Sequence, residues 1–264
     1  MKWSTRILLS MAVLLVAGML ASNIILKKVY DKVDKNDSYW TFDKVLDQHF
    51  KYLKITGGNI TQIGFEQSPN CSVRISNDWR HGHEKEKLFT ASVSNDTLCI
   101  RFTFVSQDEG ERFWMKRTTL VRIFSPELLY VEEFNSNFEM YKLKQKNIDV
   151  NISGRSNFEM ESFIRDLDTL HITQKDTSEV VFEMSPEYKP SLSKEDKMVS
   201  MLKSIPGLGR ITTNESMTIA SLTADLQGSS LLDVGHAQIG STRLAIADSS
   251  AIIFSGGALR AYCK

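Results

Sequence analysis

The chain has 264 residues, 42% of them hydrophobic and 24% charged, with 32 lysines and arginines against 32 aspartates and glutamates. This is an ordinary globular balance with no basic excess or basic stripe, so nucleic acid is not an expected partner. The three cysteines, Cys71, Cys99 and Cys263, show no C-x-x-C spacing and are odd in number, which argues against a zinc knuckle, a redox pair and a disulfide framework; Cys71 and Cys99 could still pair in an oxidising compartment.

The first element is Ile7 to Leu26, an apolar run without a charge, set between Lys2 and Arg6 before it and Lys27 and Lys28 after. A helix of that length rises about 30 Å, the thickness of a bilayer's hydrocarbon core. A cleaved secretory signal is the competing reading, because the basic start, Ile7 to Leu20 and the small residues Ala17, Gly18, Ala21 and Ser22 fit one. No A-x-A site follows, however, and the run continues through Ile24, Ile25 and Leu26, which favours a retained transmembrane anchor over residues 1–28. Lys27, Lys28, Lys32 and Lys35 outnumber the basic residues ahead of the span, and a literal positive-inside count would leave the body of the chain in the cytoplasm. Long domains cross largely regardless of charge, so the expectation is an extracytoplasmic body. Residues 29–49 read as a charged juxtamembrane linker whose Tyr30, Tyr39, Trp40 and Phe42 either rest at headgroup level or cap the domain that follows.

From Phe50 onward the pattern has the period of strands. Leu53 and Ile55 alternate with polar residues before the turn-forming Gly57-Gly58-Asn59; Ile60, Ile63 and Phe65 lead to Ser68-Pro69-Asn70, and Val73 and Ile75 open another strand. Leu98, Ile100, Phe102 and Phe104 alternate, as do Ile148, Val150 and Ile152, and Leu170 and Ile172 look like copies of Val150 and Ile152 one step on. Residues 185–214, with Pro186, Pro190, Pro206, Gly207 and Gly209, break the pattern and read as an irregular insertion, partly helical around Lys194 to Ser204. Its Gly-Leu-Gly has no preceding strand or following basic helix and is loop punctuation, not a phosphate loop.

Two repeats fix a period. Ser-Asn-Phe-Glu-Met stands at Ser136 to Met140 and again at Ser156 to Met160, twenty residues on (156 − 136), and Leu226, Ser229, Ser230 and Leu232 recur as Ile246, Ser249, Ser250 and Ile252 at the same step. Stacking such coils places Phe158 on Phe138 and Met160 on Met140, with strands ~4.8 Å apart. One coil cannot bury its apolar face, whereas a stack can.

The segments Phe50 to Ile60, Phe65-Glu66-Gln67-Ser68-Pro69 with Val73, Asn95 to Ile100, Asn151 to Ser156, Gly228-Ser229-Ser230 and Asp248-Ser249-Ser250, behind a membrane anchor, resemble the auto-transporter adhesin head domain, also called the GIN domain. The resemblance covers Phe50 to the C-terminus. It implies an all-β fold, a right-handed parallel β-helix over residues 50–264, in the cell envelope of Bacteroidetes-type bacteria, and it supplies no catalytic residues. The chain departs from the family pattern in its insertion at 185–214 and in its Gly-Arg-Ser-Asn and Asp-Ser-Ser-Ala turns.

Candidate sites are few. His81 and His83, near Asp78, Glu84 and Glu86, form the one cluster with metal-ligand residue types, and in an extended chain an i, i+2 pair points to one side. The segment Asn77 to Lys87 is strongly polar and has no further His or Cys, which favours a solvated loop and no metal. Lys142, Lys144 and Lys146 read as the solvent face of a strand. No G-x-S-x-G or H-E-x-x-H occurs; Asp166 with Asp168, or Glu132 with Glu133, could serve a glycan-cleaving site on a β-helix, the alternative to a non-enzymatic protein. Rows formed by Asn137 over Asn157, and by Ser229 and Ser230 over Ser249 and Ser250, could bind glycan hydroxyls or satisfy the turns of the coils, the latter being favoured. The expectation is a single-pass, membrane-tethered adhesion, binding or scaffold protein on the periplasmic side of a bacterial inner membrane. It needs no cofactor, and its partners are the membrane, a glycan or envelope protein, and another copy through open strand edges at the ends of the stack.

Overall fold

The computed structural model describes residues 3–31, 37–83, 88–103, 119–141, 143–160, 167–182, 217–235 and 237–254. The expected insertion at 185–214, with its helical stretch, lies outside them, as do Phe104, Lys142, Asp166, Cys263, Glu84 and Glu86. The chain divides into two compact units, Met1–Asp43 and Lys44–Lys264.

In the first unit, helix α1 (Trp3–Tyr30) carries leucine, valine and isoleucine on every side and is basic in its last turn at Lys27 and Lys28. Within its apolar run Ser10 Oγ donates to the Ile7 carbonyl at 2.8 Å, which satisfies that hydroxyl inside the helix. Trp3–Lys28 is long and apolar enough to cross a membrane, which fits an anchor or a signal sequence. After α1, Tyr39 and Phe42 pack edge to face with ring centroids 6.4 Å apart.

The second unit is mostly β. In chain order its elements are β1 (Phe42–Leu46, which begins in the first unit), β2 (Tyr52–Thr56), β3 (Gln62–Gln67), β4 (Ser72–Ser76), α2 (Asn77–His83), β5 (Phe89–Ser94), β6 (Thr97–Phe102) and β7 (Thr119–Ser125). There follow β8 (Tyr130–Phe134), β9 (Asn137–Tyr141), β10 (Asn147–Ser153), β11 (Asn157–Met160), β12 (Leu167–Gln174), β13 (Glu179–Phe182), β14 (Thr218–Leu226), β15 (Leu231–Asp233), β16 (Gln238–Ile246) and β17 (Ala251–Ile253). They form a nine-stranded sheet, β1-β4-β7-β3-β9-β11-β13-β15-β17, and an eight-stranded sheet, β16-β14-β12-β10-β8-β2-β6-β5.

From β8 to β17 the chain alternates between the sheets, each strand running parallel to its predecessor in the same sheet. The inward residues stack like on like. Phe138 meets Phe158 with centroids 5.9 Å apart, Met140 meets Met160, Leu226 meets Ile246 and Leu232 meets Ile252, as the two repeats predict. The step is not constant, however. Thr169 lies 22 residues from its partner Asn147, so Leu170 sits over Ile148 and Ile172 over Val150, one inward position from where a uniform step of twenty puts them. Two residues more in that coil preserve the face of every side chain, because a strand's period is two.

Five further features depart from the sequence reading. The coil β2–β3 is first in the chain but lies inside the stack, with β6 and β7 on one side and β8 and β9 on the other. Two antiparallel strands border that end, β4 on β7 and β5 on β6, and β5 and β6 are joined through Asn95 and Asp96, both at positive φ, the requirement of a two-residue hairpin turn. Asn77–His83 is a short helix, and Leu143 to Lys146 form a connection in place of the expected lysine-bearing strand. Strand β1 falls within the segment read as linker and begins the nine-stranded sheet.

At the corners between sheets, Gly154, Asp176 and Gly228 stack in the left-handed conformation. A Cβ on Gly228 would lie 2.7 Å from the Asp176 carbonyl oxygen and 2.8 Å from its nitrogen, backbone that cannot swing away. Gly228→Ala is therefore expected to destabilise the domain by more than about 1 kcal/mol. Phe158→Ala, which empties a fully buried site between Phe138 and Val180, is expected to cost roughly 3–5 kcal/mol. Urea unfolding of the full chain in detergent checks both.

Candidate functional site

The sequence-predicted polar rows are brought together and are used locally. Asn137 and Asn157 are register partners, but the Asn137 amide is buried and donates to the Asn59 carbonyl at 2.6 Å, and Asn157 Nδ2 donates to Glu159 Oε1 at 2.5 Å. Ser249 Oγ and Ser250 Oγ both donate to the Gly228 carbonyl, the latter at 2.9 Å; Ser230 Oγ lies 3.3 Å from Ser250 Oγ, and the Ser229 amide donates to the Asp176 carbonyl at 2.7 Å.

Ser230 and Ser250 belong to a longer ladder. One residue ahead of each strand of the nine-stranded sheet from β3 to β17, other than β4 and β7, stands a hydroxyl: Thr61, Ser136, Ser156, Ser178, Ser230 and Ser250, all in step. Five of the six are buried. The Ser136 amide donates to Ser156 Oγ at 3.1 Å, and Ser156 Oγ donates to the Ser153 carbonyl at 2.8 Å. At that corner the Ser156 hydroxyl accepts from the neighbouring coil and donates to its own, which suits a Ser or Thr and few other side chains.

His81 and His83 fall on α2, not on extended chain, and residues two apart on a helix are separated by about 200° around its axis. Among the described residues no group of three or more His, Cys, Asp or Glu is placed to hold a metal ion. Glu132 and Glu133 do not converge, since Glu132 faces outward and Glu133 inward from β8. Asp168 pairs with Lys146 at 3.3 Å. Cys71 and Cys99 are both free thiols.

What the strand alternation does assemble is the outward face of the eight-stranded sheet. Tyr52 and Tyr130 are direct register partners there, and Asp149, His171, Thr223 and Arg243 continue their row. Beside them runs a second row of Cys99, Lys54, Glu132, Asn151, Thr173 and Asp225. Tyr52 is 38% exposed, and Asn151 Nδ2 donates to Tyr130 Oη at 3.4 Å. Lys54 Nζ pairs with Glu132 Oε1 at 2.6 Å within the face, and His171 Nδ1 meets Asp149 Oδ1 at 3.0 Å. The hydrogen bond to Glu132 holds the Lys54 ammonium above its ordinary pKa. Sequence reasoning missed this surface because its signal is a register, Tyr52 against Tyr130 across 78 residues, and no local motif carries it.

No protein-family model matches the chain, and no curated protein matches it. Among solved structures it is similar to a "putative adhesin" from Bacteroides fragilis, at 11% identity and a TM-score of 0.38, with 80% of this chain and 94% of the other covered. It is also similar to a "putative lipid binding protein" from Parabacteroides distasonis, at 14% identity and a TM-score of 0.36, and to a "putative adhesin" from Parabacteroides merdae, at 12% and 0.30, each with the same two coverages. Likenesses at this level carry neither fold nor function across.

The ladder and the turn tips have different expected costs. Ser156→Ala leaves the buried Ser136 amide without its acceptor, an expected loss of about 1–3 kcal/mol. Ser229→Ala, at an exposed position, is expected to stay within about 0.5 kcal/mol of wild type. Paired urea titrations distinguish a ladder that holds the coils from one that is ornamental to them.

Proposed function

We propose that this chain is a membrane-tethered, non-enzymatic binding protein of a bacterial cell envelope, with residues 1–28 as a retained anchor, 29–49 as the juxtamembrane segment and 50–264 as a right-handed parallel β-helix of the GIN type, carried on the periplasmic side. The parallel, in-register alternation between two sheets supports the β-helix, and the exposed apolar helix supports the tether. The observation that carries the binding role is the pair Tyr52 and Tyr130, side by side in register on adjacent strands with Asn151 and Glu132 in the next row. Tyrosine offers an apolar ring with a polar tip and loses little entropy when it binds, and a sheet holds it in place for an extended ligand. A face that sets two tyrosines beside the Asn151 amide and the paired Lys54 and Glu132 suits an uncharged, hydroxyl-rich polymer, so the ligand is an envelope or surface glycan.

Two measurements test this reading. Reporter fusions after Lys264, one active only outside the cytoplasm and one only inside, are expected to give activity outside alone; activity inside alone would sink the envelope assignment. On a glycan array the full chain is expected to bind neutral polysaccharides, and Tyr52→Ala with Tyr130→Ala to weaken that binding roughly tenfold or more. Binding that is indifferent to both tyrosines would remove this face from the function.

A further inference from the structure

We propose that Glu133 is a proton-operated latch at the corner where β8 turns into β9: the corner is closed while its carboxyl is protonated and opens when the carboxyl ionises.

Glu133 occupies an inward position with Ile55 of β2 on one side and Ile152 of β10 on the other, and the neutral Gln174 lies beyond Ile152 in the same row. It is fully buried. One carboxyl oxygen, Oε2, accepts from Ser136 Oγ at 3.0 Å, and Oε1 has no hydrogen-bond partner among the described residues. The inward side chains of the elements around it are Leu53 and Ile55 on β2, Ile63 and Phe65 on β3, Phe138 and Met140 on β9, Ile148, Val150 and Ile152 on β10, and Phe158 and Met160 on β11, none of which titrates or carries charge. Lys54 and Glu132, the nearest charged residues in register, point to the opposite face of the sheet and pair with each other. Among the described residues an ionised carboxylate at this place has a single neutral donor and no cation, a costly arrangement in a protein interior.

Burial accordingly pushes the Glu133 carboxyl well above its ordinary value of 4.5, while the Ser136 hydroxyl acts more weakly in the other direction. The opened or unfolded chain ionises Glu133 near 4.5, whereas the closed chain keeps the proton to a higher pH. The stability contributed by the protonated group is therefore fully present below 4.5, declines as pH rises from there, and is gone once pH has passed the raised value of the folded state. Opening is local because the contacts at stake are local. The hydroxyl that serves Glu133 belongs to Ser136, whose amide is held by Ser156 of the next coil. Losing the first contact frees the residue that ties the two coils together.

The test is hydrogen exchange read by mass spectrometry on the full chain in detergent, following the peptide over residues 131–141 from pH 4.5 upward, with each rate divided by its intrinsic value. One proton released on opening predicts that protection in this peptide falls about tenfold per pH unit above 4.5 and then levels off. Peptides from β14 and β16 are expected to keep constant protection over the same range. In Glu133→Gln, which keeps the shape of the neutral acid, the profile over 131–141 is expected to be flat. Protection in the wild-type peptide that does not change with pH would overturn the latch, and so would an unchanged slope in Glu133→Gln; if that variant does not fold, the wild-type profile decides alone.

Discussion

Register between parallel strands is the constraint on which this domain depends. Each coil lends its backbone to the next, and the inward residues form columns, Ile63, Phe138, Phe158, Val180 and Leu232 in one sheet and Leu53, Val131, Val150, Ile172 and Ala224 in the other. A slip by a single residue would turn every such column outward. What resists the slip is concentrated at the corner between the sheets. At the corner between β10 and β11 the left-handed Gly154 reverses the chain, the Ser156 hydroxyl two positions later bonds across to the neighbouring coil, and Asn157 enters the strand in step. Coils of 20 and 22 residues can stack on one another because two added residues leave every side chain on its original face.

Glu133 and the outward tyrosines are two consequences of one alternation. Along β8 the residues Tyr130, Val131, Glu132 and Glu133 point out, in, out and in. The acid whose neighbour forms a solvent-exposed ion pair is for that reason sealed in the core. A pair of adjacent glutamates in sequence suggests shared chemistry, yet a strand divides them between two environments with opposite effects on a carboxyl group.

Much of this architecture is legible in the sequence where identity repeats. Ser-Asn-Phe-Glu-Met written twice gives the alignment of β9 with β11, and the serine-rich echo gives that of β14 with β16 and of β15 with β17. The apolar alternations of β2, β6 and β10 stand out for the same reason. The β5–β6 hairpin was also available in principle, from Asn95-Asp96 set between Phe89, Ala91 and Val93 and Leu98, Ile100 and Phe102. The hydroxyl ladder was legible only in pieces, since Ser178 stands 22 residues after Ser156 (178 − 156) and no identity flags it. The helix Asn77–His83 was hidden by its polarity, because a helix of two turns has too few apolar positions to show a period. The tyrosine face was out of reach altogether, since nothing local connects residue 52 to residue 130.

The position of the first coil also sets an order of events for the growing chain. Tyr52 is bonded in register to Thr97 on one side and Tyr130 on the other, so β2 has neither neighbour when it is made and gains its second only when a further stretch of 78 residues has followed. Contacts this distant in sequence must wait for loop closure and set the pace of folding. A domain whose first coil lies inside the stack is therefore one that cannot be assembled coil by coil from its leading end, whereas the regular repeats from β8 to β11 each find a partner about twenty residues on.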